Sequence, residues 1–208
     1  MVIEAYLSAA RTVSGLLRAP ELADRWTEPS ALAGFRVSGL AGHLARGVFT
    51  VEKYLSAAPP AGPPTVDAAG YFLAATDSDP GSATNRQIRE RGEEDAGPGP
   101  GDLADRYDAA LDRLAVRLAP LEPDRPVPML GGAVLTLADC LVTRMVELLV
   151  HADDLALSID VPGPPFDDRA ADLVVAALAR CARRRHGTAP VLRALARRER
   201  ADRPIAAF

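Results

Sequence analysis

Glu147 and His151 stand four residues apart in the run Arg144-Met145-Val146-Glu147-Leu148-Leu149-Val150-His151-Ala152-Asp153-Asp154. On a helix, residues at i and i+4 share one face with Cβ atoms roughly 6 Å apart, close enough to grip one cation. The neighbours Met145, Val146, Leu148, Leu149, Val150 and Leu155 cover most of the circumference, so this helix is expected to be buried on most sides. A charge in such surroundings is very costly without a partner, and a metal ion is one such partner. His43 lies in a second apolar stretch, Gly39-Leu40-Ala41-Gly42-His43-Leu44-Ala45-Arg46-Gly47, and can supply a third ligand. A His/Glu/His set with a fourth position open to water is the arrangement of catalytic zinc. Such a metal lowers the pKa of a bound water or holds an incoming thiol as its thiolate.

Each residue also has a plainer reading. Glu-x-x-x-His is a weak motif alone, and Glu147 can pair with Arg144 while His151 hydrogen-bonds Asp154. His43 alone reads as a hydrogen-bonded core histidine. Asp154 can also orient the ring of a metal-binding His151, and Asp153, Asp154 and Ser158 could hydrogen-bond a sugar. His186, before Gly187, reads as a cation stabilising a helix C-terminus. The arginines from Arg180 to Arg203, interspersed with Glu199 and Asp202, read as a solvated basic face or an anion pocket.

Apolar spacing places the elements that must carry these groups. A first helix is expected over Val2 to Leu17, and a second from Val37 to Leu55, ended by Pro59, Pro60, Pro63 and Pro64. A long crossover to Gly101 follows, with short helices over Val66 to Ala75 and Asn85 to Glu94. A connection of that length normally crosses an end of the fold or covers a site. The third helix is expected over Asp102 to Leu118 with Asp102 as its cap. A small β-hairpin over Pro126 to Leu135 turns at Gly131-Gly132. The fourth helix, Leu137 to Ile159, is capped by Thr136 with Asp139 three residues on. Further helices cover Asp168 to Arg185 and Pro190 to Arg198. The fold class is therefore all-α: a four-helix bundle with a long crossover between helices 2 and 3, a hairpin before helix 4 and extra C-terminal helices. Residues 1–160 are expected to form the metal-binding bundle, and 161–208 a helical extension packed on the same domain.

At 208 residues with 48% hydrophobic and 25% charged side chains, the chain suits one soluble domain. Its net charge of −4 argues against a general nucleic-acid binder. No apolar run approaches the ~20 residues of a membrane span, and Met1-Val2-Ile3-Glu4-Ala5-Tyr6 lacks the pattern of a secretory signal. Cys140 and Cys181, without Cys-x-x-Cys spacing, read as buried structural thiols in a reducing cytoplasm. No nucleic-acid or membrane partner is expected; a homodimer through apolar parts of the crossover is an expectation without a motif behind it.

Two stretches together resemble the mycothiol-dependent maleylpyruvate isomerase family, within the DinB-like/YfiT-like four-helix metalloproteins. They are Trp26 through Arg46, with Trp…Pro-Ser…Val-x-x-Leu-x-x-His-Leu-Ala-Arg, and Thr143 through Asp154, with Thr-Arg-x-x-Glu-x-x-x-His-x-x-Asp. The likeness covers roughly residues 1–160 and places the family's metal ligands on His43, Glu147 and His151. It implies a DinB-like bundle and a divalent metal, usually Zn2+. That metal binds the thiol of mycothiol, or another low-molecular-weight thiol, and delivers it to a small electrophilic substrate. In isomerisation, addition of the thiol makes a single bond that rotates before the thiol is expelled. Full-length isomerases of this family carry a C-terminal α/β domain with a substrate-binding arginine, whereas here the stretch after Pro165 is expected to be helical. Arg193, Arg197 and Arg200 match no motif of that domain. The expected function is a thiol-dependent isomerase or transferase, with Arg46, Arg144 or the C-terminal arginines holding a substrate anion and Asp154 a further catalytic candidate. The alternatives are a non-enzymatic metal-binding stress-response or sensing module, and a metal-hydroxide hydrolase or lyase that uses no thiol.

Overall fold

The computed structural model describes residues 1–58, 60, 62–75, 79, 81–201 and 203–207, the Arg198 side chain excepted. Helix α1 runs over Val2–Leu17, α2 over Pro20–Asp24 and α3 over Val37–Ser56. The crossover carries α4 (Ala68–Ala75) and α5 (Ala83–Ala96), and leads into α6 (Pro100–Leu118). Strands β1 (Pro126–Pro128) and β2 (Val134–Thr136) precede α7 (Leu137–Ile159), α8 (Asp168–His186) and α9 (Thr188–Ala196). The four long helices α1, α3, α6 and α7 pack on one another, and α8 lies against α7, α4 and α1. The all-α four-helix bundle with its crossover, hairpin and added C-terminal helices is the architecture observed.

The apolar stripes do what their spacing requires. Leu40, Leu44, Val48 and Val51 of α3 and Leu137, Leu141, Met145 and Leu148 of α7 are fully buried, each worth roughly 1.5–3 kcal/mol relative to exposure. Two buried phenols brace the bundle: Tyr6 donates to the Gly47 carbonyl at 2.9 Å, and Tyr107 to the Ala10 carbonyl at 3.0 Å. Both find the partner that a buried hydroxyl requires.

At the start of α7, Thr136 accepts from the Asp139 amide at 3.0 Å and its hydroxyl donates to the Asp139 carboxylate at 3.0 Å. The other oxygen of that carboxylate accepts from the Ala68 amide at 3.2 Å, so the same cap anchors α4. The hairpin pairs Val127 with Leu135 and turns through Gly131 and Gly132, both at positive φ (85° and 84°). There glycine is the residue that bears the conformation without strain.

Three expectations are corrected. Asp102 does not cap α6: the helix begins at Pro100 after Gly99, because proline is pre-organised for the first helical position. Asp102 instead lies in the first turn and accepts from Arg106 at 2.6 Å. The short α2, also opened by a proline, fills a stretch the apolar pattern leaves as loop. Helix α9 starts at Thr188, two residues ahead of Pro190. Of the proline run after α3, Pro59 lies outside the described residues, as does Asp202.

Helix α5 is held by an uncommon kind of contact. Its sequence, Ala-Thr-Asn-Arg-Gln-Ile-Arg-Glu-Arg-Gly-Glu-Glu-Asp-Ala, has almost no apolar stripe, yet it packs along α3. The backbones touch. A Cβ on Gly42 would overlap the Gly92 carbonyl oxygen and stand 2.5 Å from the Ala96 nitrogen, and a Cβ on Gly92 would stand 2.5 Å from the Gly39 oxygen. Polar ties flank this seam: Ser38 donates to Glu93 at 2.9 Å, and Arg46 is ion-paired with Asp95. Arg106 of α6 donates to the Asp95 and Ala96 carbonyls at 2.9 and 3.1 Å, satisfying the end of α5.

Gly42→Ala should therefore force the two helices apart and cost about 1–3 kcal/mol or more. Gly15 meets nothing within 4 Å, so Gly15→Ala in α1 should stabilise by about 0.5–1 kcal/mol. Thermal unfolding of the two variants should shift in opposite directions; an unchanged melting temperature for Gly42→Ala would show that the seam is not as tight as described.

Candidate metal centre

Helix α7 presents Arg144, Glu147, His151 and Asp154 along one face, and α3 faces it with His43. The approach is close because of Gly47: a Cβ there would stand 2.6 Å from a methyl of Leu148. One turn before that contact, His43 meets the polar stripe of α7. Its Nε2 is 3.3 Å from Glu147 Oε2, and His151 Nε2 is also 3.3 Å from the same oxygen. The two imidazole centroids are 4.8 Å apart at 69°. One donor atom from each of the three residues lies within 4.8 Å of the other two.

The residues present fit a metal ion. Nitrogen and oxygen ligands bind zinc at about 2.0–2.2 Å, so tetrahedral neighbours stand roughly 3.3–3.6 Å apart. Both imidazole–carboxylate separations match. His151 Nδ1 is 3.0 Å from Asp154 Oδ2; a proton on Nδ1 makes that bond and leaves the Nε2 lone pair facing the shared centre. Among the described residues His43 Nδ1 is buried without a partner, and the ring makes its polar contact through Nε2, to Glu147. Phe35 stands beside it, ring centroids 5.6 Å apart.

Burial dominates the electrostatics. It drives the His43 pKa down, only partly opposed by Glu147, which leaves this imidazole neutral and able to ligate. Burial also acts against ionised Glu147, but hydrogen bonds from His151 and His43, with the charges of His151 and Arg144, outweigh it and hold the carboxyl well below its ordinary value. His151 is disfavoured as a cation by burial, yet Asp154 and Glu147 together raise it to about 9. Glu147 thus stands ionised between two nitrogen donors, a set that suits a cation.

All three residues line a cavity of about 580 Å³, within the range of small-molecule sites. Its walls come from α3 (Arg46, Thr50, Tyr54), α7 (Arg144), α4 (Tyr71, Phe72) and α5 (Thr84, Asn85, Ile88, Arg89), with Leu32, Phe35 and Leu130 from loops. The crossover thus shapes the cavity. Arg46 follows His43 by three residues, and Thr50 and Tyr54 follow Arg46 at spacings of four, on one face of α3, a signal present in the sequence and not drawn from it. Tyr71 carries no such signal, since only the fold brings α4 over α7.

The arginine and acid candidates separate clearly. Arg46 is engaged with Asp95. Arg144 is 8% exposed and lines the cavity; its Nε donates to Thr143 at 3.2 Å, and its guanidinium stands 6.0 Å from the Tyr71 ring. The plainer pairing of Glu147 with Arg144 is not what forms: Glu147 contacts the two imidazoles. Asp154 contacts His151, and Ser158 is occupied by the Ala31 amide at 2.9 Å and the Asp154 carbonyl at 2.6 Å, so it is no sugar contact. Arg193, Arg197 and Arg200 do not line the cavity. His186 ends α8 beside Gly187 and meets the Ala206 carbonyl at 2.7 Å. Cys140 and Cys181 are buried free thiols, and burial pushes Cys140 up to about 11. Among the described residues no helix is long and apolar enough to cross a membrane.

Bundle, crossover and His/Glu/His cluster together define a helical domain with a candidate metal site. The family model described as mycothiol maleylpyruvate isomerase N-terminal domain matches residues 6–156, and the chain belongs to that family. Comparisons with curated proteins and with solved structures give no match.

The α4 wall of the cavity is pinned by Asp67, which accepts from Arg184 of α8 at 2.6 and 2.5 Å and from the Gly70 amide at 2.9 Å. Arg184 holds the Asp67 carboxyl below its ordinary 3.8. A depressed folded value means that this contribution is present above the unfolded value and is lost as the pH falls through the folded one. Asp67→Asn should accordingly lower the urea midpoint at neutral pH, and the gap to the parent should narrow as the pH falls below the ordinary carboxylate range. A gap that stays constant across that range would mean the pair adds nothing to stability.

Proposed function

We propose that this protein is a divalent-metal-dependent enzyme of the isomerase or S-transferase type. In this reading it activates a low-molecular-weight thiol, mycothiol or a relative, for attack on a small electrophile. The observation that carries the reading is the convergence of His43, Glu147 and His151 on one centre in the wall of a cavity sized for small molecules. Membership of the mycothiol maleylpyruvate isomerase N-terminal domain family supports the thiol.

His43 and His151 would hold the ion through Nε2 and Glu147 through a carboxylate oxygen. When bound, the ion, zinc by the chemistry of a His/Glu/His set, supplies the positive charge that keeps a thiol deprotonated at neutral pH. Asp154 keeps the proton on His151 Nδ1 and fixes the ring. Leu32, Phe35, Phe72 and Ile88 give the cavity apolar walls, which limit water and strengthen every charge interaction inside. Among the described residues no fourth His, Cys, Asp or Glu joins the three. That favours an open catalytic position over a closed structural or sensing site. The partners in this reading are the small-molecule thiol and its electrophile.

Elemental analysis of purified protein should find about one divalent ion per chain, and His43→Ala and His151→Ala should both lose it. Asp154→Asn should keep the stoichiometry but weaken metal affinity by about 10–100-fold. Conversion of an electrophilic substrate should then require added thiol. A folded protein without metal would reduce the cluster to a buried polar network, and turnover independent of thiol would move the assignment to metal-hydroxide hydrolysis or lyase chemistry.

A further inference from the structure

The charge of this chain is divided unevenly. Between residues 180 and 203 stand nine arginines against Glu199 and Asp202, a formal +7, so the −4 of the whole leaves −11 on the remainder. The fold gathers that stretch at one end of the molecule. The last turn of α8 carries Arg183, Arg184 and Arg185, and α9 packs back on α8. The segment after α9 closes over the same turn: Arg203 donates to the His186 carbonyl at 3.2 Å and Arg185 to the Ala207 carbonyl at 3.5 Å. Arg184 is paired with Asp67. Arg180, Arg183, Arg193, Arg197 and Arg200 are exposed, and among the described residues none of them has a carboxylate partner. Helix α9 adds an apolar strip. It buries Val191, whereas Leu192 and Leu195, three residues apart on one face, are 60% and 69% exposed. Arg193 and Arg197, four residues apart, form the adjoining strip.

We propose that this end of the molecule, the last turn of α8 together with α9, docks on an anionic lipid bilayer. The arginines meet the phosphate headgroups, and Leu192 and Leu195 enter the boundary between headgroups and acyl chains. The proposal is independent of the chemistry at the metal site. Among the described residues no helix is long and apolar enough to cross a membrane, so the contact is made at the surface. Neither component suffices alone. The field of an anionic leaflet attracts arginines but fades within a Debye length, and two leucines bury too little apolar area to hold a protein on a neutral membrane. Together they make the combined basic and apolar face of an interfacial helix. Guanidinium groups suit that place, since they bind phosphate through paired hydrogen bonds and lay their stems along apolar surface. The −11 on the rest of the chain is repelled by the same leaflet, which turns this end toward it. A second copy of the chain fits less well, because a twofold interface sets the same positive face against itself. Single-stranded nucleic acid also fits less well, because residues 180–203 contain no Phe, Tyr or Trp on which bases stack.

Vesicle sedimentation of the full chain tests the assignment, with phosphatidylcholine alone and with about a third of it replaced by phosphatidylglycerol. The wild-type protein should partition onto the anionic vesicles at least about tenfold better than onto the neutral ones, and salt at ~0.5 M should release most of it. Arg193→Gln combined with Arg197→Gln should weaken binding about 10–30-fold. Leu192→Ser combined with Leu195→Ser should weaken it about tenfold and keep the salt dependence. All four side chains are exposed, so the melting temperature should stay unchanged, and the wild-type comparison stands even if a variant fails to fold. Equal partition onto the two kinds of vesicle, or onto neither, would overturn the proposal. So would a duplex oligonucleotide bound as tightly as the anionic vesicles and indifferent to the leucine exchange, which would mark a surface that answers to any polyanion. Self-association abolished by the leucine exchange, without vesicle binding, would give the face to a second copy and overturn it too.

Discussion

Glu147 puts a carboxylate into the interior of a helix bundle, where an ionised group survives only if positive charge or strong hydrogen-bond donors surround it. Two imidazoles meet the same oxygen at 3.3 Å, one from the next turn of α7 and one from α3. Much of the surrounding structure serves that meeting. Gly47 removes the side chain that would hold α3 away from Leu148. Asp154 meets His151 Nδ1 at 3.0 Å, and the Phe35 ring packs beside His43. Any device that widened the α3–α7 spacing by the thickness of a methyl group would separate His43 from Glu147 and His151.

The bundle joins its parts in two different ways. The long helices meet through leucine and valine stripes, in which many small dispersion contacts add up and no single one is decisive. Helix α5 meets α3 through Gly39, Gly42 and Gly92, so that backbone lies on backbone and polar ties at Glu93 and Asp95 fix the register. A seam of the second kind tolerates almost no added volume, but it lets a polar helix wall a cavity without burying an apolar face. That is how α5 places Asn85, Ile88 and Arg89 in the wall of the cavity.

This difference explains what could be read from the residues alone. The long helices, the Thr136 cap and the Gly131-Gly132 turn were legible because apolar periodicity and capping act within a few residues. The pairing of Glu147 with His151 was legible for the same reason, since i and i+4 are neighbours on any helix. The contribution of His43 rested on resemblance, because nothing local to residue 43 states which helix it will face. The walls of the cavity were hidden: α5 has no apolar stripe to betray its packing, and Tyr71 reaches Arg144 only through the crossover. The start of α6 was misplaced because Asp102 has the chemistry of a cap while Pro100 has the backbone geometry of a first turn, and the geometry prevailed. Arg46 and Arg144 looked equivalent, and only the position of Asp95 separates them.

Formal charges on the α7 wall carry the argument one step further. With His151 protonated, as its two carboxylate neighbours favour, the wall holds +1 on His151, +1 on Arg144, −1 on Glu147 and −1 on Asp154, and is neutral. Under the proposed reading a divalent ion takes the place of that single proton, and the same wall becomes +1. In a low-dielectric cavity an excess charge of this size biases occupancy strongly toward anions. A site that gathers a thiol in its anionic form, as the proposed reading requires, uses such a bias.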